Sequence, residues 1–211
     1  MTATLIQKPD RVLLQEISWQ TYQLLVKDFE KQPAIRLTYD KGWLEIRMPL
    51  DPHETYKKLI GRLVEALTEE LEIEIRSLGS RTCDREDFNR GLEPDQCYYI
   101  KNESLVWGKG QIDLSLDPPP DLAIEIDITR SSLDRLSIYA SLGVPEVWRY
   151  DGKILTMYAL EGEKYQSCRV SPAFPFLNVS DLQHFLELSK TMKENALIRS
   201  FREWTRQKNE Q

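Results

Sequence analysis

The feature that most restricts the fold of this chain is the run DLAIEIDI at residues 121–128, in which every second residue is leucine or isoleucine. A period of two is typical of a β-strand that buries one face. One face carries Leu122, Ile124, Ile126 and Ile128, and the other carries Ala123, Glu125 and Asp127. Three prolines just before the run end whatever element precedes it. The pattern predicts a core strand with two carboxylates on one face.

A helix and a second strand follow this run directly. Ser131 or Ser132 is placed to cap the helix, and Gly143 ends it. The inward-facing residues are predicted to be Leu133, Leu136, Tyr139 and Ala140. VPEVWRY, residues 144–150, then has the composition of a strand. The order strand, helix, strand predicts two parallel strands joined by a right-handed crossover.

The rest of the chain predicts further helices and strands around this unit. Before it come a helix capped by Ser18 and ended by Pro33, a hairpin of residues 35–40 and 43–50 that turns at Lys41-Gly42, and a long helix that begins at Asp51-Pro52. Strands at 72–78 and 96–101 follow, with a loop or irregular edge at 79–94 between them. After it come strands at 152–160 and 164–170, a helix capped by Ser180 and a helix at 190–208. The fold class is α/β (α+β).

Length and composition restrict the class of protein. No linker divides the 211 residues, so we expect a single domain over 1–211. There is no apolar run of ~20 residues and no signal-like start, so we expect a cytoplasmic protein that does not bind membranes. The three cysteines and two histidines lack metal-ligand spacing. A net charge of −6 argues against a broad basic surface for nucleic acid, but it leaves room for a local basic cleft.

The two carboxylates of the core strand need partners, because a buried charge is costly unless it is paired or bound to a metal ion. Glu125 and Asp127 have Cα atoms ~6.6 Å apart and face one way. Asp95 is a third carboxylate, in the segment EPDQCYY just before another predicted strand. Mg²⁺ takes oxygen ligands and keeps several waters, so two or three carboxylates suffice to hold it.

Several motifs together resemble the Uma family of putative restriction endonucleases, formerly a domain of unknown function. They are PHETY, GLEPDQCYYI, PPPDLAIEIDIT and SSLDRLSIYASLGVPEVWRYDG. The resemblance covers residues 15–190, which leaves the C-terminal helix, 190–208, outside it. It implies the PD-(D/E)XK nuclease superfamily, whose members hydrolyse phosphodiesters with Mg²⁺ held by an Asp and a Glu. It also implies a restriction-endonuclease-like mixed β-sheet flanked by helices.

By this resemblance, Asp95 is the motif aspartate and Glu125 the motif acid, and both are the expected metal ligands. The motif lysine is absent, because Asp127 stands two residues after Glu125. In similar sequences the lysine lies on the following helix, at the position that Arg135 fills here. Arginine stays protonated and cannot act as a base, although it can hold a phosphate oxygen. Loss of a positioned base costs ~10²–10⁴-fold in rate.

Other residues near these motifs have two interpretations. Glu54 matches a helix glutamate that supports the metal site in this superfamily, but an acidic residue in a first helical turn also stabilises the helix dipole. His53 is expected to be a cap or packing residue. Tyr139 and Trp148 are expected to pack in the core.

Three hypotheses follow for the function. The first is an endonuclease that hydrolyses nucleic-acid phosphodiester bonds with Mg²⁺, or with Mn²⁺, acting on DNA as a homodimer. The catalytic residues would be Asp95, Glu125, Asp127, Arg135 and Glu54. The second is a weakened nuclease-fold protein that binds nucleic acid or a partner protein without cutting. In the third, the carboxylates only neutralise buried basic groups.

Overall fold

A computed structural model describes residues 6–8, 11–32, 34–48, 51–128 and 131–209. Its helices are α1 (Trp19–Phe29), α2 (Asp51–Glu70), α3 (Glu103–Val106), α4 (Arg135–Leu142), α5 (Val179–Leu188) and α6 (Glu194–Asn209). Its strands are β1 (Ile6–Lys8), β2 (Arg11–Leu14), β3 (Arg36–Asp40), β4 (Trp43–Arg47), β5 (Arg76–Ser77), β6 (Cys83–Arg85), β7 (Arg90–Leu92), β8 (Gln96–Tyr99), β9 (Leu122–Ile126), β10 (Glu146–Tyr150), β11 (Leu155–Glu161) and β12 (Lys164–Cys168). A short 3₁₀ helix, Glu86–Phe88, lies between β6 and β7.

The described strands form two sheets of six strands each. The first has the order β1-β2-β4-β3-β7-β6, with antiparallel neighbours throughout. The second has the order β12-β11-β10-β9-β8-β5 and is mixed, because β9 and β10 run parallel. These sheets and their flanking helices confirm the predicted α/β (α+β) class and the mixed sheet.

Most predicted elements are present with shifted ends. Ser18 caps α1 as predicted, because its Oγ accepts a hydrogen bond from the Thr21 N–H at 3.1 Å. The hairpin β3–β4, the long helix α2 and the unit β9–α4–β10 are also confirmed. Gly143 ends α4 in the left-handed region at φ 75°. Pro33 and residues 49–50 lie outside the described part of the chain.

The segment 79–94, predicted as a loop or an irregular edge, contains a short hairpin, β6–β7, at the edge of the first sheet. Its strands are only three residues long, which is too short for a clear alternating pattern. Asn89 makes the turn possible in the left-handed region at φ 54°. The strand predicted at 72–78 shrinks to Arg76–Ser77.

The predicted caps of α4 and α5 are also wrong. Asp134 caps α4, and the Ser137 N–H donates to its carboxylate at 3.3 Å. Ser131 and Ser132 bind another carboxylate, described below. Asn178, rather than Ser180, caps α5 in a reciprocal capping box with Asp181.

The hydrophobic core covers both faces of the second sheet. One face of β9 packs with α2, α5 and α6 in a cluster that includes Leu122, Ile124 and Ile126. The other face, at Ala123, packs with α4. The apolar part of the strand therefore lies between helices, whereas Glu125 and Asp127 lie toward its carboxyl end. Within the described residues, no helix has the length and apolar character needed to cross a membrane.

Gly91 in β7 provides a test of the packing between this hairpin and α1. A Cβ atom at Gly91 would lie 2.6 Å from Cβ of Asp84 and would also overlap the Tyr22 hydroxyl. We expect Gly91→Ala to lower the free energy of unfolding by about 1–3 kcal/mol, as overpacking does. Urea denaturation measures this, with Gly110→Ala as the matched control, because Gly110 has open space around it. Equal stability of the two variants would contradict this packing.

Candidate active site

Asp95 lies at the start of β8, fully buried beside the end of β9. Its N–H donates to the Ile124 carbonyl at 3.1 Å, and its Oδ2 accepts from the Ile126 N–H at 2.7 Å. Nε2 of His53, from the first turn of α2, lies 3.0 Å from the same oxygen. The other oxygen, Oδ1, is buried without a hydrogen-bond partner among the described residues. Asp95 is therefore fixed through one oxygen and has the other available.

Glu125 lies on β9 and is 3% exposed. Arg135, the first residue of α4, binds its carboxylate in a bidentate manner. Nε donates to Oε2 at 3.0 Å, and Nη2 donates to Oε1 at 2.5 Å. The Tyr139 hydroxyl, one turn further along α4, also donates to Oε1. The crossover helix therefore carries both side chains that bind Glu125.

All three guanidinium nitrogens of Arg135 donate hydrogen bonds within the protein. Besides Glu125, its Nη1 donates to Thr38 Oγ1 and its Nη2 donates to the Glu93 carbonyl at 2.7 Å. Burial acts to lower the pKa of Arg135, but the charge of Glu125 raises that pKa above its ordinary value. The guanidinium is thus a permanent cation that joins α4 to both sheets. A substrate phosphate could bind this fork only by displacing one of these acceptors.

Asp127 follows β9 and is held between two other arginines. Its Oδ1 accepts from the Ser131 N–H at 3.0 Å and lies 3.9 Å from Nη1 of Arg47. Its Oδ2 accepts from Nη2 of Arg149, which is on β10. Glu125 and Arg149 are direct neighbours in the parallel pairing of β9 and β10. Asp127 is therefore neutralised from two sides.

The polar face of the first sheet closes the site from the other side, a feature that the sequence interpretation missed. Glu45 on β4 accepts from Ser131 Oγ at 2.8 Å and from the Ser132 N–H at 2.6 Å. These contacts hold the loop after β9, and they explain why neither serine caps α4. The alternation in RLTYD and WLEIR was the available signal, since it places Arg36, Thr38, Glu45 and Arg47 on one face.

Glu54 is turned away from the other carboxylates. Its carboxylate lies 3.7 Å from Nδ1 of His53 and 3.5 Å from Nζ of Lys57, and its side chain is 41% exposed. His53, which the sequence favours as a packing residue, instead contacts Asp95. Tyr139 is buried in the core as predicted, but its hydroxyl also binds Glu125. Neither contact leaves a signal in the sequence, because both join residues from different elements.

A cavity of about 210 Å³ opens beside these residues. Its lining includes Glu125, Asp127, Arg135, Tyr139 and Arg149. The side chain of Arg149 is 35% exposed and stands at the open side, whereas Glu125 and Arg135 are buried. The cavity gives a polar ligand a route to the carboxylates.

The pKa values of Asp95 and Glu125 are shifted in opposite directions. Burial alone would raise the pKa of Asp95, but the contact with His53 and the charges of His53 and Arg47 hold it below its ordinary value. Burial raises the pKa of Glu125, and the negative charge of Asp95 raises it further, in spite of Arg135. The two carboxylates therefore repel each other, and a cation between them would relieve that repulsion.

The donor set has the chemistry that Mg²⁺ prefers but offers few protein ligands. Within the described ranges, no three His, Cys, Asp or Glu side chains form a group that could hold a metal ion. Asp95 Oδ1 is an unused buried oxygen, and Oε2 of Glu125 has a second lone pair beside its bond to Arg135, whereas Oε1 accepts from both Arg135 and Tyr139. These two carboxylates fit a divalent ion that keeps most of its waters.

The pKa shift of Asp95 predicts a pH dependence of stability. A carboxyl whose folded pKa is lowered stabilises the fold above its unfolded pKa, and this contribution is lost as the pH falls through the folded value. We therefore expect the stability difference between the parent and Asp95→Asn to narrow from about pH 5 to about pH 3. Urea unfolding at several pH values measures it, with the exposed Asp28→Asn as control. A difference that widens toward low pH would contradict the assignment.

Comparisons with known proteins agree with this architecture. The sequence matches the model of a family, Uma2, described as "Putative restriction endonuclease", over residues 19–192. The fold is similar to the crystal structure of a putative nuclease from Anabaena variabilis, with 19% sequence identity and a TM-score of 0.54. That alignment covers 76% of this chain and 98% of the other. No curated protein sequence matches the chain.

Proposed function

Because the chain belongs to the Uma2 family of putative restriction endonucleases, we propose that it is an endonuclease that hydrolyses phosphodiester bonds of nucleic acid with a divalent metal ion. The observation that carries the proposal is the pair Asp95 and Glu125. Both are buried, with Asp95 just before β8 and Glu125 on the neighbouring strand β9; the charge of Asp95 raises the pKa of Glu125, and a cavity leads to Glu125. A pair that served only to neutralise basic groups would have no need of the unused Asp95 oxygen.

In this proposal, Asp95 Oδ1 and the Glu125 carboxylate hold Mg²⁺ or Mn²⁺. Lewis-acid polarisation of the phosphoryl group is the chemistry that such an ion supplies when bound. His53 keeps Asp95 ionised and oriented through Oδ2. Arg135 and Tyr139 hold the Glu125 carboxylate in one orientation. Arg149, at the open side of the cavity, is placed to attract the phosphate backbone.

The experiment that tests the proposal is cleavage of supercoiled plasmid, single-stranded DNA and RNA with Mg²⁺ or Mn²⁺. We expect cleavage by the parent protein and none with a chelator. Asp95→Ala and Glu125→Ala should fall to the level of the chelator control. Arg62→Met is the matched control, because Arg62 pairs with Glu194 between α2 and α6, away from the site. Full cleavage by both alanine variants would disprove the site assignment.

A second candidate function is binding without cleavage. It is favoured by the hydrogen bonds that all three nitrogens of Arg135 make within the protein. The residue that stands where similar sequences have lysine cannot accept a proton, and it occupies both oxygens of Glu125. Retention of labelled DNA or RNA in a gel-shift assay, without cleavage under either metal, would support this candidate. Metal-dependent cleavage would eliminate it.

Four further expectations stay predictions: DNA as the substrate, a homodimer, a single domain over 1–211 and a cytoplasmic location. A two-fold assembly suits the cutting of two strands. Light scattering of the purified protein determines the oligomeric state, and the three substrates of the cleavage assay compare DNA with RNA.

A further inference from the structure

Three buried arginines lie side by side across three strands of the first sheet. Arg47 on β4 is the direct cross-strand partner of Arg11 on β2 and of Arg36 on β3. Directly opposed residues point to the same face of a sheet, so the three guanidinium-bearing side chains form one row. Arg11 and Arg47 are each 3% exposed, and Arg36 is 5% exposed. Like charges directly opposite each other destabilise a sheet, so the row needs a compensating anion.

Among the described residues, the central arginine of the row forms no hydrogen bond: Nε, Nη1 and Nη2 of Arg47 are all buried without a partner. Oδ1 of Asp127 lies 3.9 Å from Nη1, which is too far for a hydrogen bond. Buried polar groups are nearly always satisfied in folded proteins, and exceptions point to a bound ion, a water or a functional role.

Glu45 and Asp127 form no hydrogen bond with Arg47, and the oxygens of both accept hydrogen bonds from other residues. Both oxygens of Glu45 accept hydrogen bonds from the loop at Ser131 and Ser132. Asp127 accepts from Ser131 through one oxygen and from Arg149 through the other. A planar fork of donors with no acceptor is the arrangement that holds the oxygens of a phosphate.

We propose that Arg47 binds a backbone phosphodiester of the nucleic-acid strand, with Arg11 and Arg36 adding positive potential on either side. The identity of the ligand rests on the proposed function, whereas the anion site rests on Arg47 itself. Asp127 lies between Arg47 and Arg149, and Arg149 lines the cavity. The carboxylate of Asp127 therefore holds the anion position in the free protein, and the phosphate reaches Arg47 by displacing it.

Metal-free binding tests this proposal separately from cleavage. The affinity for a short fluorescein-labelled oligothymidylate is measured by anisotropy in EDTA at several salt concentrations. Arg47→Met is expected to lower the affinity by about ten- to a hundredfold and to reduce the salt slope by roughly one phosphate contact. Arg206→Met removes the same charge from α6, where Arg206 pairs with Glu70 at 2.7 Å, and should bind like the parent. An unchanged affinity and slope for Arg47→Met would overturn the proposal.

Further variants distinguish a ligand site from a structural role. A buried guanidinium without hydrogen bonds lowers stability, so Arg47→Met should melt at the parent temperature or above, whereas loss of an arginine with a structural role would leave a less stable protein. Arg47→Lys keeps the charge but loses the fork, and it should bind more weakly than the parent. If Arg47→Met fails to fold, the affinity of Arg47→Lys decides whether Arg47 binds the phosphate. Asp127→Asn should bind inorganic phosphate more tightly, since the competing carboxylate is gone.

Competition identifies the source of the phosphate. Thymidylyl-thymidine, a diester, should displace the labelled strand more effectively than inorganic phosphate. The reverse order would assign the site to a free phosphate and overturn the backbone assignment. If the protein never cleaves but its metal-free binding depends on Arg47, the anion site is supported and the nuclease proposal is rejected. Cleavage by Arg47→Met with parental KM would leave the nuclease intact without this site.

Discussion

Arg135→Met is expected to lower the free energy of unfolding by about 3–5 kcal/mol, which is the range found when one partner of a buried ion pair is removed. The variant leaves the carboxylate of Glu125 3% exposed and without its cation, beside the negative charge of Asp95 that raises its pKa. It also leaves Thr38 and the Glu93 carbonyl without their donor. Since this guanidinium contacts strands of both sheets from α4, the loss should affect the whole fold.

Urea denaturation measures the effect, and its pH dependence identifies the cause. The pKa of Glu125 is already raised by burial, so protonation should restore part of the stability of Arg135→Met below neutral pH. The double variant Glu125→Gln with Arg135→Met should be more stable than the single variant, because it leaves no unpaired charge. Arg62→Met, at a surface pair, should cost less than about 1 kcal/mol. Additive losses in the double variant would show that the two side chains do not form a pair.

The sequence was sufficient to predict the core of the second sheet, because its signals are local. The alternation around Glu125 predicted both faces of β9, and Gly143 marked the end of α4. The hairpin at Asn89 was missed, because its short strands are defined by pairing with β3, far away in the sequence. The cap of α4 was misassigned, because Glu45, on another sheet, binds both serines.

The candidate site divides in the same way. The resemblance predicted Asp95 and Glu125 as metal ligands, and the alternation placed Asp127 on the same face as Glu125; the structure brings β8 and β9 together. The pairing of Glu125 with Arg135 is a contact between a strand and the next helix, which no spacing predicts. The same holds for His53 beside Asp95. Alternation shows which residues of one strand share a face, but not which strands pair or which element covers that face. The row of arginines therefore could not be predicted without the strand pairing.

Arg135→Lys is expected to raise metal-dependent cleavage by about 10²–10⁴-fold, the contribution of a positioned general acid or base. Lysine bears a point charge, whereas arginine holds both oxygens of Glu125 in a fork. The substitution should therefore free one oxygen of Glu125 for a metal ion. It should also supply a group whose pKa can be shifted toward neutrality in a buried site. Both changes act on the step that the proposed function requires.

Single-turnover cleavage of plasmid DNA, measured beside the parent protein, decides this prediction. Arg149→Lys is the matched control, because it makes the same exchange at the open side of the cavity and leaves Glu125 paired. Unfolding measurements on each variant separate a change in rate from a change in folded fraction. If Arg135→Lys cleaves no faster than the parent, arginine at this position is not what limits the enzyme.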